Sequence, residues 1–327
     1  MQLQGDSLDE ILIQAYKQIQ LFGVANKGSR GDHKELVGVS LRLKHPRARL
    51  SRSNDRGLPS AVGEFLWYLS KSDDVEFITA YIPAYKDEVG PNGRINGAYG
   101  PRLFATFGLD QIEAVSELLQ RKPSTRRAVV QLYAATDLLI DVEVPCTTTL
   151  QFLIREGRLH LVASLRSNDA YLGLPHDVFC FTMLQEMMAN RLSLELGEYV
   201  QMVGSFHLYD KHQARSERYI KEGHHRLEEM PPMPKGDPFA LVPALMEVET
   251  LVRAGDASAS SAISALPDFW ADIMRLAQAK LATTPDGLDP IRSKLSNKGY
   301  EAYIDDRKDW LTRKIVKAEN GDEKVSK

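Results

Sequence analysis

Three short runs in the middle of the chain do most to limit its fold. Arg127 to Tyr133 (RAVVQLY), Thr147 to Ile154 (TTTLQFLI) and Arg158 to Leu165 (RLHLVASL) are β-branched or alternate in polarity, the pattern of strands with one buried face. The residues REGR between the last two fit a hairpin turn. An apolar stretch from Val178 to Leu192 then reads as a helix, and Glu198 to Leu208 (EYVQMVGSFHL) returns to strand. Strands interleaved with helices in this order predict an α+β architecture, a mostly antiparallel or mixed sheet covered by helices.

The flanking segments fit that frame. Residues 8–21 hold apolar side chains at helical spacing, with Ser7 ahead of Asp9 and Glu10 as an N-terminal cap. Asn26 to Lys34 (NKGSRGDHK) is polar and Gly-rich, which predicts a mobile loop before a strand at Leu36 to Leu43. Helices are expected at 60–70 and 110–120, and an ordered surface loop at 86–102. After Met230 the texture changes: PPMPKGDP resembles a linker, and helices follow at 239–253, 260–281 and 297–317 before a charged tail. The sequence thus divides into a core at 1–230 and a helical C-terminal extension at 231–327.

Composition closes off several classes. With 327 residues the chain buries an ample core without staples, and two cysteines build neither a disulfide framework nor a four-thiolate metal site. No metal is expected. A net charge of −3, from 41 basic and 44 acidic residues, argues against bulk nucleic-acid binding. No run is long and apolar enough for a membrane span, and MQLQGDSLDE lacks the features of a signal peptide, so a cytoplasmic location is expected.

Chemistry is concentrated in three clusters. Cys146 lies in VPCTTTLQFLI, after a proline and at a strand entry, whereas Cys180 sits in the apolar run VFCFTML and reads as packing. A nucleophilic thiol needs a cation to lower its pKa, and Arg126, Arg127 and Arg166 are candidates. The second cluster is LRSNDAYLGLPHDVF at 165–179, where Arg166 and Ser167 offer a guanidinium and a hydroxyl to a phosphate, or else form a capped turn. The third, GSFHLYDKH at 204–212, puts His207 and Tyr209 on one strand face, suited to sugar hydroxyls or simply to an amphipathic wall.

Together the order RR…PC…QF…RS.D..LGLP…G..HLY is similar to the pattern of thymidylate synthases and of their relatives, the deoxycytidylate hydroxymethylases. GEFLWYL at 63–69, AYGPR at 98–102 and DQI at 110–112 support it, and the resemblance covers roughly residues 8–212. It implies a mixed sheet of about six strands backed by helices, and a homodimer across the sheet face. It also implies two substrates, a pyrimidine nucleoside monophosphate and 5,10-methylenetetrahydrofolate.

Site roles follow from the same resemblance. Cys146 matches the nucleophile that adds to C6 of the base, Glu64 the glutamate that orders water beside it, and Tyr99 the tyrosine near the reacting carbon. Arg166 and Ser167 match phosphate ligands, Arg126 and Arg127 the pair lent to the partner subunit, and Arg30 a further phosphate ligand on the loop. His207 and Tyr209 match the sugar-hydroxyl pair. Asp169, Gly173 and Tyr85 fall where the folate pterin and its aromatic wall are expected. The chemistry requires these types: thiolate addition at C6 turns C5 into a nucleophilic enolate or enamine carbon that attacks the folate methylene. Hydride then gives a methyl product and water a hydroxymethyl product. The arginines and the substrate phosphate are expected to keep Cys146 partly ionised at neutral pH.

Departures from the family decide the subtype. Asp177 stands where the synthases carry the asparagine that reads uracil, and an ionised carboxylate accepts from the cytosine amine while repelling O4 of uracil. The alternative is that Asp177 caps the helix after it. Thr147, Leu165 and His176 replace the usual His, Gln and aromatic, and residues 231–327 lack the synthase tail that closes over the folate. These changes predict a folate-dependent (deoxy)cytidylate 5-hydroxymethyltransferase, with methylation of dUMP or an inactive nucleotide-binding protein as the alternatives.

Overall fold

The computed structural model describes residues 1–28, 30–53, 58–141, 143–223 and 225–319. In chain order the elements are β1 (Gln2–Gly5), α1 (Leu8–Phe22), β2 (Val24–Gly28), β3 (Gly31–Leu43), α2 (Leu58–Leu69), α3 (Val75–Tyr81), α4 (Tyr99–Phe104), α5 (Gln111–Arg121), β4 (Val129–Gln131), β5 (Thr147–Arg155), β6 (Arg158–Asp169), α6 (Gly173–Arg191), β7 (Glu195–Tyr209) and α7 (Gln213–Glu222). The C-terminal part adds α8 (Val242–Ala254), α9 (Ala259–Ser264), α10 (Asp268–Leu281), α11 (Asp289–Ser293) and α12 (Glu301–Glu319).

The strands form one mixed sheet in the order β1-β3-β7-β6-β5-β4, with β2 also paired to β3. The pairs β1·β3 and β6·β7 are parallel and the others antiparallel. The β5–β6 hairpin closes as expected, on Glu156 and Gly157, whose φ angles of 52° and 73° match the two left-handed positions of a type I′ turn. Alternation along β6 and β7 sends Leu161, Ala163, Tyr199 and Val203 into the core. The other face keeps Val162 and Val200 half-buried and Met202 exposed. α6 is buried nearly all round between the sheet and α2, which explains an apolar sequence without a polar stripe.

Several sequence boundaries move. The expected loop at 26–34 is a β-hairpin, because β3 begins at Gly31 and pairs back onto β2. The 260–281 helix is two helices broken ahead of Pro267, which cannot donate a backbone hydrogen bond. β1 and α3 had no clear sequence signal. The run after Met230 is pinned rather than linker-like: Met230 N donates to Arg47 O at 2.8 Å, and Met233 N to Glu186 Oε1 at 3.0 Å. Glu186 in turn pairs with the buried Arg49. α10 packs on α2 and α3, and Trp270, Met274 and Leu276 join the same core as Phe65 and Trp67.

Candidate active site

The turn between β5 and its preceding segment meets the C-terminal end of β6 and the start of α6, and the predicted residues converge there. Arg166 N donates to Cys146 O at 2.8 Å, so the thiol-bearing residue and the arginine are neighbours across the β5–β6 ladder. The Arg166 guanidinium is aimed by two backbone carbonyls, with Nε on Pro145 O and Nη2 on Val144 O, both at 3.0 Å. Arg30, on the β2–β3 turn, reaches the same region but is engaged by Glu88 and Glu143 at 2.6 Å each. Sequence reasoning missed both carboxylates.

That electrostatic setting corrects one expectation. Burial pushes the Cys146 thiol up to about 11, and Glu143 and Asp177 add to the rise against the opposing pull of Arg166 and Arg30. The arginines therefore do not keep Cys146 ionised at neutral pH in the free protein. Cys180 is fully buried, as its apolar run implies, and donates weakly to Ala61 O at 3.7 Å.

Glu64 is the centre of a second group. Tyr68 and Tyr85 donate their hydroxyls to Oε1 at 3.1 and 3.0 Å, and His176 Nδ1 lies 2.6 Å from Oε2. Burial alone would raise this carboxyl, yet the hydrogen bond and charge of His176, with the two phenols, hold it below the usual range. Tyr85, expected only as an aromatic wall, thus also serves Glu64, while its ring packs edge-on against Trp67. Tyr68 was missed, although its position one helical turn after Glu64 would have placed it on the same face. Tyr99 donates to Thr147 Oγ1 at 3.0 Å and accepts from Thr147 N at 2.9 Å, tying it to the residue after Cys146.

The third group surrounds Asp177. α6 starts at Gly173, five residues earlier than the sequence suggests, because a proline at 175 is tolerated in a first turn. Asp177 is consequently inside the helix and does not cap it. Asp169 instead accepts from the backbone N–H groups of Tyr171 and Leu172, at 3.0 and 3.1 Å. Asn168 Nδ2 donates to Asp177 Oδ2 at 2.6 Å, and its orientation is fixed from behind by Gln201 Nε2 on Asn168 Oδ1 at 2.9 Å and Tyr199 OH on Gln201 Oε1 at 2.7 Å. A Cβ on Gly173 would come within 2.9 Å of Asn168 Nδ2, so glycine there permits this contact. Burial, reinforced by Glu64, pushes the Asp177 carboxyl well above its ordinary value despite the Asn168 hydrogen bond. The shift runs toward the protonated acid, against the ionised carboxylate expected from the sequence.

His207 and Tyr209 do share a face, with ring centroids 4.9 Å apart, and His33 joins them at 5.1 Å from His207. Burial lowers His207 against the opposing charge of Asp169. The Ser167 hydroxyl lies next along β6 from Arg166. Arg126 and Arg127 are exposed just before β4, and among the described residues neither side chain has an ion-pair partner. A cavity of about 110 Å³ opens beside His176, walled mainly by Tyr171, Leu172, Pro175, Phe179 and, from α12, Tyr303. Among the described residues no group of three or more His, Cys, Asp or Glu is arranged to hold a metal, and no helix is long and apolar enough to cross a membrane.

A model of the family described as thymidylate synthase matches residues 32–234. Thymidylate synthases of Bacillus phage phi3T and Bacillus licheniformis are 32% and 34% identical over 154 and 161 residues, 45% and 47% of this chain. The chain spans little more than half the length of these relatives, 55% and 58%. The thermostable thymidylate synthase A from Bacillus subtilis superposes with a TM-score of 0.60 at 25% identity, covering 70% of this chain and 90% of that one.

Proposed function

This chain belongs to the thymidylate synthase family, and from that premise we propose that it transfers a one-carbon unit from 5,10-methylenetetrahydrofolate to C5 of a cytidine monophosphate, ribo or deoxy, leaving a hydroxymethyl group. The observation that carries the cytosine assignment is the Asn168–Asp177 contact. Once protonated, the direction in which burial pushes it, Asp177 held by Asn168 through Oδ2 presents an O–H to cytosine N3 and a carbonyl to the exocyclic amine. The same pairing arises if the proton moves to N3 and the carboxylate ionises.

The residues act in sequence. Arg166, Ser167 and Arg30 bind the phosphate, with Arg126 and Arg127 reaching in from a partner subunit. His207 and Tyr209 take the sugar hydroxyls. Phosphate binding competes with Glu88 and Glu143 for Arg30, and a freed Arg30 adds its charge to that of Arg166 beside Cys146. Cys146 then adds to C6. Glu64, ionised and oriented by three donors, manages protons at C5 and on the attacking water. Asp169, Gly173 and Tyr85 face the aromatic part of the folate, on the α6 side of the site. Exposed Met202, on the sheet face turned away from the core, supports a homodimer through that face, which would bring Arg126 and Arg127 to the neighbouring site.

A second reading, methylation of dUMP, is favoured by the upward push on the Asp177 carboxyl: once protonated, the acid also matches uracil, accepting from N3–H and donating to O4. Incubation with CMP, dCMP and dUMP separates the two. Hydroxymethylated cytosine product with tetrahydrofolate released supports the proposal, and methylated uracil product with dihydrofolate released overturns it.

A further inference from the structure

Ser60 and Glu64 lie one helical turn apart on α2 and so face α6 together, where His176 stands in the first turn. His176 Nδ1 is 2.6 Å from Glu64 Oε2, and Nε2 is 3.1 Å from Ser60 Oγ. Against a carboxylate the Nδ1 position carries the proton, which fixes the ring's orientation and leaves Nε2 to the serine hydroxyl. Both Ser60 and His176 line the cavity of about 110 Å³, so the series runs from the carboxylate to the cavity wall. Such a chain of hydrogen bonds behind a working carboxylate determines where its oxygen atoms point.

We propose that His176, held by Ser60, is the positioning residue that aims Glu64 for proton transfer at the exocyclic carbon. The assignment rests on the function proposed above. In the hydration step the water oxygen bonds to the exocyclic methylene carbon and the water proton passes to Glu64. The π pair moves onto C5 and expels the Cys146 thiolate from C6, restoring the C5–C6 double bond. Glu64 must be unprotonated and correctly turned at that moment, and His176 supplies both conditions. The groups facing the pair are the Tyr68 and Tyr85 phenols on Oε1, Asp177 beside His176 on α6, and the Cys180 thiol. Of these, His176 is the one whose hydrogen bond and charge together pull Glu64 down most.

Two variants of the full chain, His176→Phe and His176→Asn, test this against wild type. Turnover is scored on whichever product wild type makes. The Phe variant is expected to lose about 10- to 100-fold in kcat, with KM for the nucleotide unchanged within about twofold. The acid limb of its pH profile should move up by about one unit or more, because Glu64 loses the charge that holds it low. The Asn variant restores a donor without a charge, so it should recover part of kcat while keeping the raised limb. A second measurement is independent of turnover: carbon-13 titration of the Glu64 carboxyl in free protein, identified by its loss in Glu64→Gln, should show the midpoint rising in both His176 variants. An unmoved carboxyl midpoint or an unmoved acid limb overturns the proposal, as does a loss that falls on KM alone. If wild type turns over no nucleotide, the proposed function fails, and the carboxyl titration still decides the role of His176.

Discussion

Asn168 donates its amide to the Asp177 carboxyl at 2.6 Å, across the junction of β6 and α6 and over a glycine that leaves room for it. The contact makes Asp177 an oriented group rather than a helix cap. Asp177→Asn should therefore lower activity on the cytosine nucleotide and raise it on dUMP, with phosphate affinity unchanged. Since no cap is lost, thermal stability should change by less than about 1 kcal/mol. A cap-like loss of stability with unchanged base preference would refute this.

Gly173→Ala tests the same relationship from the other side. The added methyl must displace Asn168 Nδ2, and base discrimination should fall while Asp177 itself is intact. Overpacking here should cost about 1–3 kcal/mol in a denaturation midpoint. Preserved discrimination would mean that Asn168 does not orient the acid.

Cys146 should be unreactive in the free protein. With the thiol pushed up to about 11, roughly one molecule in 10,000 is thiolate at pH 7. Alkylation by iodoacetamide should accelerate steadily from pH 7 to above pH 10 and should quicken at pH 7 when inorganic phosphate draws Arg30 away from Glu143, whereas bound nucleotide, seated on the thiol, should protect it. Fast alkylation of the free protein at pH 7 would contradict the burial argument. Cys146→Ser should abolish turnover and leave nucleotide binding in place.

Arg166→Ala should weaken nucleotide binding by about 1.5–3 kcal/mol, the range for a hydrogen bond to a charged group, and leave nucleoside binding nearly unchanged. Equal losses for the two ligands would rule out a phosphate contact. Mixing a Cys146→Ser protein with an Arg126→Ala, Arg127→Ala protein should restore activity through hybrid dimers, and no recovery would argue against sharing.

Much of this architecture was legible because strands and buried helices leave periodic signals. The hairpin at Glu156–Gly157, the Ser7 cap and the α6 core face are read directly from residue order. The β2–β3 hairpin was not, since its polar, Gly-rich residues are exposed on β2 and carry no alternation. Within the site, Cys146 and Arg166 stand out by type and sequence context, whereas Glu64 and Tyr99 are reached only through the resemblance to the family. What the sequence hides is pairing across distance: Asn168 with Asp177 and Gln201, or Arg30 with Glu88 and Glu143, joins residues whose partners are set by tertiary packing. The upward push on Cys146 and Asp177 is hidden for the same reason, because burial dominates both.

The central claim is the pairing of a cytosine base with Asp177 and the fate of the exocyclic carbon. Mass analysis of products from CMP, dCMP and dUMP, each incubated with isotopically labelled 5,10-methylenetetrahydrofolate, addresses both at once. The account predicts a labelled hydroxymethyl group on a cytosine nucleotide, with tetrahydrofolate as the second product. A labelled methyl group on dUMP, with dihydrofolate released, would contradict it.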